Sequence, residues 1–138
     1  MIDLFHAEIT PSHVLSLESF EKIKSLLNEN GVIAINTYGY LSDKTAFGNL
    51  ILLNTLKKAG LNFKICYVGD KEKEDYRNFE IFASVKPIEQ NLLAQLNEKV
   101  PDLSNIPVNT DLHPMLEFAN AQAAKRWRYS YLQSFIYQ

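Results

Sequence analysis

The side chains best suited to chemistry stand close together at the start of the chain: Asp3, His6, Glu8 and His13. Asp3 follows the apolar Ile2. If Ile2 closes a strand, Asp3 sits at its carboxyl end, where a carboxylate can take a proton from an amine or a hydroxyl. His6 and Glu8 would then lie in the loop beside it. A metal is the other chemistry such a cluster could serve. The helical two-histidine zinc signature and the C-x-x-C pair are both absent, and His113 is far away in the chain, so no metal site is expected. A second set of candidates is Asn36-Thr-Tyr-Gly-Tyr40, a polar and aromatic exit from the apolar run Val32–Ile35. In parallel α/β sheets the ligand crevice lies at the carboxyl ends of strands. Asn36 and Tyr38 are therefore candidate substrate contacts, although Asn36 and Thr37 could equally well just cap the strand.

Other common sites are missing. The glycines stand at 31, 39, 48, 60 and 69 and form neither G-x-G-x-x-G nor a phosphate loop. There is no G-x-S-x-G elbow and no Cys/His pair. The single cysteine, Cys66, excludes an internal disulfide and lies in a strand-like run, as a buried, inert thiol would. A reducing, cytoplasmic setting fits this cysteine usage.

These candidates need elements to hold them. Leu17, Phe20, Ile23, Leu26 and Leu27 recur at helical spacing, with Ser16 as N-cap and Asn30-Gly31 as a left-handed stop. Val32–Ile35 does not alternate, which predicts a strand covered on both faces. Ser42-Asp43 should cap a second helix over 44–59 that ends at Gly60, and Phe63–Val68 should be the next strand. Strand, helix and strand with short links predict a right-handed βαβ unit. A charged turn over 69–78 leads into Phe79–Val85, read as an antiparallel partner. A third helix is expected over 88–99, then a proline-bearing connector over 100–114. A long helix over about 116–137 follows, with an Ala124, Trp127, Tyr131, Phe135 stripe docked on the core. The fold class is thus α/β: a Rossmann-like sheet of parallel strands ending in an antiparallel hairpin, with helices on both faces, in a single domain over 1–138.

Composition narrows the partners. The chain has 138 residues, 46% of them hydrophobic, and a net charge of −2. That is enough to bury a core, and it exerts no general pull on nucleic acid or an anionic membrane. Lys125-Arg-Trp-Arg-Tyr129 mixes bases and aromatics, but the basic run is short and the aromatics fall on a helical stripe. No apolar run is long enough to cross a bilayer, and the acidic start does not look like a signal peptide. Neither nucleic acid nor membrane is expected as a partner.

Several segments together resemble one family. Asp3-Leu-Phe, Ile9-Thr-Pro-Ser-His-Val-Leu15, Ser19-Phe20 and Leu27-Asn-Glu-Asn-Gly-Val-Ile-Ala-Ile-Asn36 are similar in order and spacing to the second half of spermidine synthase-like proteins. Asn109-Thr-Asp-Leu-His-Pro-Met-Leu-Glu117 resembles the T-D-x-x-P-x-x-E tail of divergent members. The resemblance implies the fold of class I S-adenosylmethionine-dependent methyltransferases. It also implies aminopropyl transfer from decarboxylated S-adenosylmethionine to a polyamine such as putrescine, with Asp3 as the catalytic aspartate that takes the proton from the attacking amine. True synthases carry a second acid three residues later, where this chain has His6, so diamine recognition departs from the pattern.

The family's glycine-rich turn and the acid that ends its second strand have no counterpart here. The resemblance therefore covers the carboxyl-terminal half of the fold, and the expectation is a chain that alone binds cofactor weakly and is inactive. It would be completed by a missing amino-terminal half or by homodimerisation across an open sheet edge. Two alternatives stand beside this: a non-enzymatic or degenerate α/β interaction module that dimerises through that edge, and a fragment of an S-adenosylmethionine-dependent methyltransferase.

Overall fold

A computed structural model describes residues 1–3, 11–41, 46–68, 77–89 and 100–136. Helix α1, Leu17–Leu26, begins where the sequence puts it. Ser16 is the N-cap, and its hydroxyl accepts from the Ser19 amide. The helix stops earlier than expected, with Leu27 as C-cap. Gly31 does not take the left-handed conformation; the positive-φ glycines are Gly39 and Gly60. Strand β1, Val32–Gly39, takes in the polar exit as well as the apolar run. Helix α2, Phe47–Lys58, is followed by Gly60 (φ 74°), as apolar helical periodicity closed by glycine predicts. Strands β2, Asn62–Val68, and β3, Arg77–Ser84, form the expected antiparallel pair. Helix α3, Leu116–Ile136, closes the described chain. The expected capping pair Ser42-Asp43 lies outside the described residues, as do 90–99 of the expected third helix.

The molecule is mixed α/β, and its sheet has the order β1-β3-β2. β3 is antiparallel to both neighbours. β1 and β2 therefore run the same way, as the βαβ reading requires, but they do not touch. The hairpin strand β3 lies between them, which corrects the expectation of adjacent parallel strands. Parallel pairing occurs at one place among the described residues, a bridge between Ile2 and Ile35.

Burial along β1 alternates, unlike its run of apolar residue types. Ile33 and Ile35 share a face with Ile81 on β3 and Ile65 on β2, and all four are buried. Phe20 of α1, Leu52 and Leu56 of α2 and Leu116 of α3 join them in one core cluster. The described helices thus pack on one face, which departs from the expected cover on both. Ala34, Asn36 and Tyr38 point to the opposite face and are half-buried.

The stripe on α3 docks only in part. Leu116, Ala123 and Ala124 are buried and Trp127 is half-buried, but Tyr131 is 50% and Phe135 60% exposed. The helix outruns the body, so the aromatic row continues the docked face into solvent. There the rings pack on each other, Trp127 on Tyr131 at 5.2 Å and Tyr131 on Phe135 at 4.8 Å.

Candidate functional site

Asp3 follows a single parallel bridge at Ile2 rather than a described strand. Ile2 donates its amide to the Ala34 carbonyl (2.7 Å) and accepts from the Asn36 amide (3.0 Å). These two bonds hold Ile2 alongside the middle of β1, running in the same direction. Asp3 and Asn36 are therefore each one residue beyond the bridge. The Asn36 side-chain amide donates to Asp3 Oδ1 at 3.1 Å. Two of the predicted site residues are thus in contact beside the bridge, Asn36 from within β1 and not from its end. Tyr38, two residues further on the same face of β1, is half-buried. His6 and Glu8 lie outside the described residues.

A second feature, legible only in the structure, fixes the end of β1. Asn49, in the first turn of α2, is buried. Its amide donates to the carbonyls of Tyr38 (3.2 Å) and Tyr40 (3.0 Å), and its oxygen accepts from the Thr37 hydroxyl (3.2 Å). The asparagine thus takes the carbonyls that a neighbouring strand would otherwise bind. Thr37 turns inward to this contact, so it is a strand anchor, whereas Asn36 and Tyr38 face away from it. The signal was present in the sequence: Asn49 directly precedes the apolar run Leu50–Leu53 of α2, and an amide there needs a buried partner.

The base of the opening loop is held by a third group of polar contacts. Asn109 is fully buried in the connector before α3. Its amide donates to the carbonyls of Ser12 (2.7 Å) and Leu15 (3.0 Å), and its oxygen accepts from the Met115 amide (2.8 Å). Its own backbone amide donates to the Thr55 hydroxyl (2.9 Å), and its carbonyl accepts from the Leu17 amide (2.9 Å). Next to it, Ser12 Oγ accepts from the Glu117 amide (3.1 Å) while Ser12 N–H donates to Glu117 Oε1 (3.3 Å). That reciprocal pair is the logic of a capping box, assembled here from residues distant in sequence. The Asn109–Glu117 segment therefore acts as a clamp joining the opening loop, α2 and α3. His13 and His113 are both exposed. Among the described residues no group of three His, Cys, Asp or Glu side chains could hold a metal, and no helix is long and apolar enough to cross a membrane.

No known protein family, curated protein or solved structure matches this chain significantly.

Proposed function

We propose that the chain carries the acceptor side of a group-transfer site of the spermidine synthase-like type, with Asp3 as proton acceptor and Asn36 as the residue that orients it. The contact between Asp3 and Asn36, beside the parallel bridge of Ile2 to Ile35, carries this reading. One carboxylate oxygen accepts from the Asn36 amide, which fixes the plane of the group; the second oxygen can receive a proton. An amine nucleophile held there would lose its proton to Asp3 as its nitrogen bonds to the transferred carbon and the carbon–sulfur bond of the sulfonium donor breaks. Tyr38, on the same strand face, would line the acceptor's path. The antiparallel β2–β3 hairpin at one side of the sheet and the parallel approach of Ile2 to β1 accord with the methyltransferase-type architecture that the resemblance implies. This chain has no glycine-rich turn. The reading therefore assigns it the acceptor contacts and leaves the nucleoside donor to elements outside it.

Nuclear magnetic resonance titration with putrescine tests the reading. The side-chain amide of Asn36 and the backbone amides of Asp3 and Tyr38 should shift at millimolar diamine, and Asp3→Asn should abolish the response while leaving the rest of the spectrum in place. An unchanged Asn36 signal, or an identical response in Asp3→Asn, overturns it. A parallel calorimetric titration with methylthioadenosine and S-adenosylmethionine should show no micromolar binding. Tight binding would show that this chain holds the donor after all.

A further inference from the structure

One row of residues along α3 forms a pattern of its own, running from Met115, which is half-buried against the core, to exposed positions further along the helix. Met115 just before the helix, then Phe118, Gln122, Lys125, Tyr129 and Leu132, follow at alternating spacings of three and four. That is the heptad spacing of a coiled-coil seam, in which a and d positions meet a facing helix. The seam is opposite to Leu116, Asn120, Ala123 and Ala124, which are buried against the body. Phe118 is 90%, Tyr129 67% and Leu132 53% exposed. Phe118 stands at one end of this exposed face and Tyr129 with Leu132 at the other, with the exposed Gln122 and Lys125 between them.

The order of residues along the seam names its occupant. Read from either end inward, the row gives an apolar pair, an aromatic pair and a polar pair: Met115 with Leu132, Phe118 with Tyr129, Gln122 with Lys125. In an antiparallel pair of helices each a position packs against a d position of the other. A second copy placed with its twofold axis between Gln122 and Lys125 makes all three matches at once, twice over. The central match sets an amide against an ammonium group, and it keeps the two Lys125 side chains from lying directly opposite each other. Arg126 and Arg128 then lie level with Ala121 and Ala119 of the other copy, and like charges do not coincide.

The start of the seam also borders a groove. An open apolar groove of about 610 Å³ lies between the starts of α2 and α3, lined by Phe47, Pro114, Met115, Phe118, Ala119 and Gln122. Three of those residues belong to the seam. In the twofold arrangement Leu132 and Tyr129 of the second copy reach this groove.

We infer that α3 is a homodimerisation helix, pairing antiparallel with α3 of a second copy along the Met115–Leu132 seam. With aromatic side chains of roughly 150–250 Å² each, the exposed parts of the seam and groove give about 500 Å² per copy. The total of about 1,000 Å² is near the lower limit for a specific interface, so the dimer forms and dissociates reversibly.

Sedimentation velocity of the full chain from about 1 to 500 µM should show a monomer–dimer equilibrium, and Phe118→Glu should remain monomeric throughout with an unchanged circular dichroism spectrum. Cysteine cross-linking then reads the direction. An oxidised mixture of Phe118→Cys and Tyr129→Cys chains, each in a Cys66→Ala background, should give the mixed disulfide dimer, while either variant alone should not. In the antiparallel pair like positions are about 16 Å apart at 1.5 Å per residue, too far for a disulfide. A chain that stays monomeric at 500 µM overturns the inference. So does a dimer unaffected by Phe118→Glu, or efficient cross-linking of each variant to itself. Monomeric wild-type chain that captures a heterologous helix would assign the seam to a different partner and equally overturn it.

Discussion

Replacing Asn109 by alanine should cost more stability than any other single polar deletion in the described part of the chain. The side chain is completely buried and binds three backbone groups from two segments: the carbonyls of Ser12 and Leu15 before α1 and the amide of Met115 before α3. Asn109→Ala strands all three. An orphaned buried polar group costs about 1–3 kcal/mol, which would sum to roughly 3–9 kcal/mol. Water entering the vacated space recovers part of this, because a carbonyl or amide needs only one partner. A loss of about 3–5 kcal/mol is expected. For a chain of this length that corresponds to a fall in Tm of about 10–15 °C, measured by urea denaturation and by calorimetry. Asn109→Asp sharpens the test. It keeps the acceptor for Met115 but turns an oxygen toward two carbonyl oxygens. The introduced carboxyl must hold its proton to a higher pH when folded than when unfolded, so the folded state binds more protons and stability rises as pH falls. The aspartate variant should be at least as unstable as the alanine variant at pH 7 and should gain on it toward pH 4. A loss below about 1 kcal/mol for Asn109→Ala, or an aspartate variant with no such pH response, would refute the clamp.

Two further outcomes follow from the same geometry. Trp127→Ala should cost about 1–2 kcal/mol, below the ~3–5 kcal/mol typical of a fully buried tryptophan, because the ring is half-buried and rests largely on Tyr131; a loss above 3 kcal/mol in a denaturant titration would contradict that packing. Cys66 should resist thiol reagents until the protein unfolds. Burial pushes its thiol up from the ordinary value, the Glu80 carboxylate adds to this and Lys64 opposes it. The native thiol thus keeps its proton to a higher pH than the unfolded one, and its contribution to stability is lost as pH climbs past the usual cysteine range. Native-state labelling as fast as that of a free thiol would contradict this.

Local chemistry was legible in the sequence wherever a residue acts on its near neighbours. Ser16 caps α1 and Gly60 ends α2 because hydroxyl capping and left-handed backbone are local preferences. The residue pair Asp3 and Asn36 was legible for a different reason: both sit at apolar-to-polar transitions, although at Asn36 the strand runs on to Gly39 instead of ending. What periodicity could not give was strand adjacency. β1 and β2 run the same way, yet a hairpin inserts β3 between them, and nothing in the residue pattern separates that from direct pairing. The alternation of burial along β1 was hidden because Ala34 carries no polar atom to mark the second face. The docked stripe on α3 was only partly right, since a helical pattern shows which residues share a face and not where the supporting body stops. Asn109 and Ser12 belong to segments distant in sequence, and their contacts give those segments a physical role: they bind the opening loop to the last helix.

Ile2 and Asn49 together decide where a second chain can add. Ile2 bonds to Ala34 and Asn36, so the backbone groups of even-numbered β1 residues point to the outer edge. Tyr38 and Tyr40 continue that series, and Asn49 takes their carbonyls. A strand adding along β1 would have to displace Ile2 in the middle or Asn49 at the end, breaking bonds to form equivalent ones. Such an exchange gains little, because the net worth of each backbone bond is only about 0.5–1.5 kcal/mol. The other edge belongs to β2, where Lys64 stands among the edge residues, and lysine at an edge disfavours strand addition. The exposed seam of α3 has no such competitor: its aromatic side chains face water and can be covered without breaking a bond. Between sheet-edge and helix-mediated self-association, the energetics favour the helix. That choice also leaves Asp3 and Asn36 clear of the interface.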